Sequence, residues 1–361
     1  MASLVLADRS ISRKSTMKNR FWIPAFAVAL LAASMASCDS KSGASSEGIK
    51  LQGAGASFPA PLYNKWFKAY GANHPDIQVD YQSVGSGSGK KSVIDHTVDF
   101  GASDAAMDDE ETGRVSGGVQ LLPMTAGAIV LVYNVDGLPS LNLSRKAYAG
   151  IFLGQVKKWN DPAIAKTNPG VKLPDLPINV VVRADGSGTS FVFSKHLSAI
   201  SPEFGKAVGA NTMPNWPVGT KSKGNEGVTA SLKGTPGSIG YVEYGYAKSQ
   251  KLTTASLENK SGKFVAATTA SGQAALTSVE LPGNLIGWAS DPAAAGAYPI
   301  VTYTWIICYR HYPDAKKLAA MQDLLKYSLK DGQNDAEALG YIPLPAATVN
   351  KDLAALQTIT N

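Results

Sequence analysis

The sequence predicts an α/β protein of about two domains. Strand-length apolar runs alternate with amphipathic helical stretches, and glycine-rich turns punctuate the junctions. A chain of 361 residues, 44% hydrophobic and 17% charged, is long and apolar enough to fill substantial cores. There is no internal repeat and no heptad pattern that would point to a solenoid or a coiled coil.

The first 37 residues stand apart from the rest. Arg9, Arg13, Lys14, Lys18 and Arg20 against Asp8 give them +4 of the formal net charge of +6, which leaves +2 for everything that follows. Basic residues followed by the apolar run 21–36 read as an export signal, with Met17 as a second candidate start. The run is shorter than the ~20 residues of a membrane-spanning helix, and Pro24 interrupts it. Its end, M-A-S-C, resembles a bacterial lipoprotein signal, in which Cys38 would become the lipidated first residue. Met35 stands where that pattern usually has leucine, and an ordinary cleavage site that happens to lie beside Cys38 is the alternative. Residues 38–47 are polar and small, as expected of a flexible tether. The other cysteine, Cys308 in W-I-I-C-Y, reads as a small buried hydrophobe; no intramolecular disulfide is open to it unless Cys38 stays unmodified.

The elements then follow in order. Residues 59–70 predict a helix with prolines in its first turn, Leu62, Trp66, Phe67 and Tyr70 on one face, and Gly71 at its end. Residues 77–84 alternate as a strand that runs into the loop V-G-S-G-S-G-K-K-S, with a short helix expected over 90–97. Residues 98–104 form a strand that delivers Asp104 to a turn. The apolar runs 126–134 and 178–185 read as strands buried on both faces, the second leading into a helix near 186–197. Residues 238–244 and 299–309 are further strands, and two helices end the chain. The first of these carries the stripe Leu318, Met321, Leu325 and Leu329, a core face.

The chemistry is that of capture more than of catalysis. His74, His96, His196 and His311 lack metal-ligand spacing, and no serine sits in a G-x-S-x-G elbow. No metal or cofactor is implied, and the mature part has no basic run to bind nucleic acid. The glycine loop is a near miss to a nucleotide-phosphate motif: Gly89-Lys90 fits, but Val84 stands where the first glycine belongs and Lys91 where Ser or Thr does. Three hydroxyl-bearing turns, A-S-F-P at 56–59, G-S-G-S-G at 85–89 and D-G-S-G-T-S at 185–190, each precede a predicted helix. Converging helix starts would surround an anion with N–H and O–H donors, although Ser and Thr are also ordinary N-caps. Arg183 and Asp185, two residues apart at a strand end, project to one face, so the aspartate can hold a guanidinium that forks onto an oxyanion; a surface ion pair would show the same spacing. Asp104 would repel a fully ionised anion. An ionised carboxylate only accepts, so it suits a ligand bearing an O–H, as HPO₄²⁻ and H₂PO₄⁻ do and sulfate does not.

In this order, G-A-G-A-S-F-P-A-P, Y-Q-S-V-G-S-G-S-G, V-D-F-G-A-S-D-A and V-V-R-A-D-G-S-G-T-S-F-V-F resemble the motifs of the periplasmic phosphate-binding proteins of bacterial ABC phosphate importers; I-F-L-G-Q-V-K-K-W-N-D-P-A-I and P-G-S-I-G-Y-V-E-Y match as well. The resemblance implies the two-lobed periplasmic binding protein fold of the class II type, with two hinge strands and the ligand in the interlobe cleft. It places lobe I at 48–126 and 303–361 and lobe II at 127–302. It also implies that Ser57 donates its hydroxyl, Phe58 its N–H and Ser86 both. Asp104 would accept the phosphate proton, and Arg183, steadied by Asp185, would give charged hydrogen bonds. Ser187, Gly188 and Thr189 would donate from a helix start. The family often has Thr at the position of Ser57, and G-S-S-G-G where this chain has G-S-G-S-G, which leaves the part played by Ser88 open. Lys90 and Lys91 are expected on the solvated side of their helix. The expected function is capture of phosphate outside the cytoplasmic membrane, as a monomer tethered through Cys38, and delivery to membrane permease subunits, with ATP hydrolysed by other proteins. Receptors for arsenate or sulfate, an exported phosphatase and a structural lipoprotein are the rival readings.

Overall fold

The computed structural model describes residues 48–361. The export signal, Cys38 and the tether expected over 38–47 lie outside the described residues. The main sheet has nine strands: β1 (Ile49–Gly55), β2 (Ile77–Ser83), β3 (Phe100–Ser103), β4 (Val119–Asn134), β5 (Asn179–Arg183), β6 (Thr220–Ser222), β7 (Ser238–Glu243), β8 (Ala289–Ser290) and β9 (Ile300–Tyr309). Their spatial order is β2-β1-β3-β9-β4-β7-β5-β6, and β8 pairs antiparallel with β9.

Two parallel groups, β2-β1-β3 and β7-β5-β6, are joined through antiparallel β9 and β4. β4 pairs with β9 over Val119 to Ala128 and with β7 over Ile129 to Asn134, so one 16-residue strand belongs to both groups. This is the two-lobed binding-protein architecture, with β4 and β9 as the connecting strands. Sequence periodicity finds only the second half of β4 because Pro123, which has no N–H, interrupts the first. Pro123 is accommodated opposite Trp305, where the β4–β9 register shifts between Thr304 and Trp305. Ala126, on the same stretch, exchanges both backbone hydrogen bonds with Ile342.

The helices that matter here start at the carboxyl ends of parallel strands. α1 (Ala60–Asn73) buries Leu62, Tyr63, Trp66, Phe67 and Tyr70, and the Trp66 indole donates to the Gly332 carbonyl at 2.7 Å. It runs past Gly71, because the His74 N–H caps the carbonyls of Tyr70 and Gly71 while the His74 ring stacks on Tyr70 with centroids 4.0 Å apart. α2 (Ser86–Ile94) begins inside the glycine-serine loop, four residues before the expected start: Gly85, at φ 95°, is its N-cap. α3 (Gly188–Ile200) follows β5, and α4 (Gly224–Gly234) follows β6. Near the end of the chain, α5 (Ala315–Leu329) buries Met321, Leu324, Leu325 and Leu329 but leaves Leu318 half-buried, and α6 (Ala346–Leu356) closes the fold.

Cys308 is buried in β9, and burial pushes its thiol up to about 12, as fits a hydrophobic filler. The expectation for Lys90 fails. Its side chain is buried and its Nζ lies 2.6 Å from Glu111 Oε1, in the capping box of the 109–113 helix, whereas Lys91 is exposed and pairs with Asp95. The cause is a long-range ion pair that helix periodicity does not carry.

Candidate functional site

The carboxyl ends of β1, β2, β3, β5 and β6 deliver their loops to one place, the crevice where ligands of open α/β sheets bind. From β1 come Ser57 and Phe58, just before α1; from β2 comes Ser86, at the start of α2; β3 ends beside Asp104. From the second group, β5 ends on Arg183 and leads through Asp185 to Ser187, Gly188 and Thr189 at the start of α3. Ser57, Ser86, Asp104, Arg183, Ser187 and Thr189 are each at most 5% exposed. A row of buried polar groups of this kind is costly unless each is paired or waits for a ligand.

The two groups touch here. The Gly87 N–H donates to the Gly186 carbonyl at 2.8 Å. A Cβ on Gly188 would lie 2.6 Å from Ser86 Oγ, 2.7 Å from the Ala105 nitrogen and 2.8 Å from Asp104 Cβ, so only glycine lets α3 approach this closely. Gly85 faces Asp185 in the same way, a Cβ falling 2.4 Å from Asp185 Oδ2.

Arg183 is gripped in a fork, with Nε donating to Asp185 Oδ1 at 2.8 Å and Nη2 to Asp185 Oδ2 at 2.5 Å. Asp185 Oδ1 also accepts from the Gly224 N–H at 3.0 Å. Burial works to raise the Asp185 carboxyl, but the Arg183 fork outweighs it and holds the group below the usual carboxylate range. Burial likewise works to lower the Arg183 guanidinium, and Asp185 more than offsets it. The pair therefore stays ionised. Arg183 Nη1 is turned inward, 3.4 Å from Thr189 Oγ1.

Asp104 is placed by its own turn, since Ser103 Oγ accepts from the Ala105 N–H at 3.1 Å and donates to the Ala105 carbonyl. Its Oδ1 accepts from Thr304 at 3.0 Å and its Oδ2 from Thr189 at 3.2 Å. Burial pushes the carboxyl up to about 7, against the opposing pull of the Thr304 hydroxyl and Arg183. The Asp104 N–H donates to Ser86 Oγ at 3.3 Å, and Ser187 Oγ caps α3 by accepting from the Ser190 N–H at 3.0 Å. Both hydroxyls keep their O–H for another partner. The N–H groups of Phe58, Ser86, Gly188 and Thr189 meet no protein acceptor among the described residues.

Two partners were not singled out in the sequence. Thr304, 200 residues from Asp104, is one of two threonines in the buried β9 run, a weak signal for a contact. Asn225 contacts Ser57 and Thr189 from the start of α4. Ser88, by contrast, is exposed and lines a cleft of about 490 Å³ outside the two loops, together with Val84, Gly186 and Lys223. A separate cavity of about 920 Å³, lined by Leu276, Pro282, Tyr303 and Pro345 among others, contains none of the converging residues.

Residues 40–331 match the family model described as a PBP superfamily domain. The phosphate-binding protein PstS of Pasteurella multocida (strain Pm70) is 40% identical over 315 residues, covering 85% of this chain and 90% of the relative. A protein of the same name from Xylella fastidiosa (strain Temecula1 / ATCC 700964) is 38% identical over 309 residues, 84% of each chain. Among solved structures, a phosphate-binding protein from Stenotrophomonas maltophilia superposes with a TM-score of 0.69 at 22% identity, covering 85% of this chain and 93% of that one, which is a likeness of fold.

Proposed function

The chain belongs to the PBP superfamily and, within it, to the PstS family of phosphate-binding proteins; from that premise we propose that it captures inorganic phosphate outside the cytoplasmic membrane and hands it to an ABC phosphate importer. Phosphate sits where the helix starts converge. Phe58, Ser86, Gly188 and Thr189 donate backbone N–H groups, and Ser57, Ser86 and Ser187 donate hydroxyls, while the Thr189 hydroxyl donates to Asp104. Arg183 adds charged donors from a guanidinium that Asp185 holds in place.

The observation that carries the reading is Asp104, a buried carboxylate facing a ring of donors across the seam between the two strand groups. As the cradle's acceptor it is the group that takes the O–H of a protonated phosphate. No chemistry on the anion is required: closure replaces its water by fixed donors and presents the closed surface to the permease. We place the lobe boundaries at 126/127 and 302/303, where Ala126 pairs with Tyr303 and Gly127 with Thr302, two residues before β4 passes from β9 to β7. We further propose that the chain acts as a monomer and that Cys38 carries the lipid anchor.

Calorimetric titration of phosphate-stripped protein tests the reading. Arg183→Ala leaves Asp185 buried without its partner and is expected to lose about 2–5 kcal/mol of phosphate affinity. Near-wild-type affinity would place Arg183 outside the site. Turnover of a phosphoester by the purified protein would replace capture with catalysis.

A further inference from the structure

The cradle's hydroxyls have to know which way to point, and one residue outside the family-implied set decides this for Ser57. Ser57 Oγ lies 3.0 Å from the Asn225 backbone nitrogen and 2.9 Å from its Nδ2, and both nitrogens are donors. A serine hydroxyl has two acceptor lone pairs and one O–H. Asn225 occupies both lone pairs, so the O–H has to be given to something else. The amide cannot turn over, because Asn225 Oδ1 accepts the Glu243 N–H at 2.9 Å, and a flip would set the amide NH₂ against that donor.

Asn225 is fully buried, and it belongs to the second strand group, whereas Ser57 follows β1 in the first. The contact therefore exists only while the two groups are together. Glycine at 224, with φ 68°, turns the chain so that successive N–H groups reach Asp185 and Ser57.

We propose that Asn225 is the positioning residue that converts Ser57 into an obligatory hydrogen-bond donor on closure, so that this corner of the cradle takes only an ionised phosphate oxygen and the ligand proton is confined to Asp104. This rests on the phosphate reading above. Without Asn225 the hydroxyl is free to rotate and to accept. Asn225→Asp reverses its role: one carboxylate oxygen still takes the Glu243 N–H, while the other puts an acceptor where Nδ2 was and draws the Ser57 O–H away from the ligand.

A double-mutant cycle on phosphate affinity reads the coupling, with thermal unfolding in the absence of phosphate confirming that each variant is folded. Ser57→Ala is expected to weaken binding about tenfold or more in the wild type, where it removes a hydrogen bond to a charged ligand. In the Asn225→Asp background it is expected to cost less than about twofold. Equal losses in the two backgrounds would overturn the proposal while leaving phosphate binding intact; failure of the wild type to bind phosphate would overturn the functional reading instead. If Asn225→Asp does not fold, Asn225→Ala, which keeps the backbone donor but frees one lone pair of Ser57, carries the same comparison. An unchanged Ser57→Ala cost in that background is equally fatal to the proposal.

Discussion

Acidification from about pH 9 to about pH 5 is expected to turn Asp104 from an acceptor into a donor, and sulfate is the ligand that reports the change. Its carboxyl is pushed up to about 7 from an ordinary 3.8, principally by burial. That rise of roughly three pH units amounts to about 4 kcal/mol against the ionised form. Sulfate brings no O–H, so it fits the cradle only when Asp104 supplies one. Above pH 7 the protonated fraction falls tenfold per pH unit, so sulfate affinity is expected to fall by about the same factor, roughly a hundredfold by pH 9. A bound anion beside Asp104 penalises the ionised carboxylate further, so the trend continues upward from neutrality and does not level off there. Phosphate carries an O–H throughout this range and escapes the penalty, so selectivity for phosphate over sulfate widens as pH rises. Titrations in two buffers of different ionisation enthalpy would show sulfate taking up about one proton above pH 7. Asp104→Asn, whose amide offers both a donor and an acceptor, flattens the sulfate profile. A sulfate affinity that moved less than about twofold across the range would refute the reasoning.

Gly188→Ala places a methyl group 2.6 Å from Ser86 Oγ and 2.7 Å from the Ala105 backbone nitrogen, both on the opposite strand group. It is expected to weaken phosphate binding about tenfold or more through faster release, with phosphate-free thermal stability unchanged; an unaltered dissociation rate would refute this. Asp352, buried in α6 with neither carboxylate oxygen hydrogen-bonded, is pushed up to about 9 by burial. Because the folded value lies above the unfolded one, the folded chain keeps a proton that the unfolded chain releases, and stability is lost as pH rises from about 4 to about 9. Asp352→Asn removes that slope. It is expected to gain up to about 4 kcal/mol near pH 7 in urea denaturation, and wild-type and variant curves that stay parallel between about pH 5 and pH 8 would contradict it.

What the sequence made legible is what is local. Arg183 and Asp185 are two residues apart on a strand end, Ser187 to Thr189 open a helix, and Ser103-Asp104 form their own turn, so spacing fixes the strand end or helix start each group occupies, while their roles toward a ligand rest on the family resemblance. What it hid depends on segments that meet only in the folded chain. Thr304 reaches Asp104 across 200 residues, Asn225 reaches Ser57 across 168, and the Glu111 carboxylate that buries Lys90 lies in a separate helix. Local chemistry also misled where one composition serves two purposes. Gly85 to Gly89 reads as a loop because glycine and serine are poor helix formers. The chain nevertheless starts α2 at Ser86, where a φ of 95° and close approach to Asp185 require glycine at 85, and close approach to Gly186 leaves almost no room for a side chain at 87.

The same loop explains how a chain with only +2 of formal charge after its first 37 residues can hold a polyanion. Its two lysines do not contribute, since Glu111 engages Lys90 and Asp95 engages Lys91. Arg183 is itself matched by Asp185, and Asp104 adds negative charge whenever it is ionised. The fixed charges of the site thus come close to cancelling, and on the phosphate reading the attraction falls to oriented N–H and O–H groups at the starts of three helices, which favour an anion only at contact distance. A field of that kind does not collect anions indiscriminately from solution. It rewards one that reaches every donor at once and gives its single proton to Asp104, so affinity and selectivity arise from the same geometry, and a lysine-rich loop of the nucleotide-binding kind would have weakened the second in gaining the first.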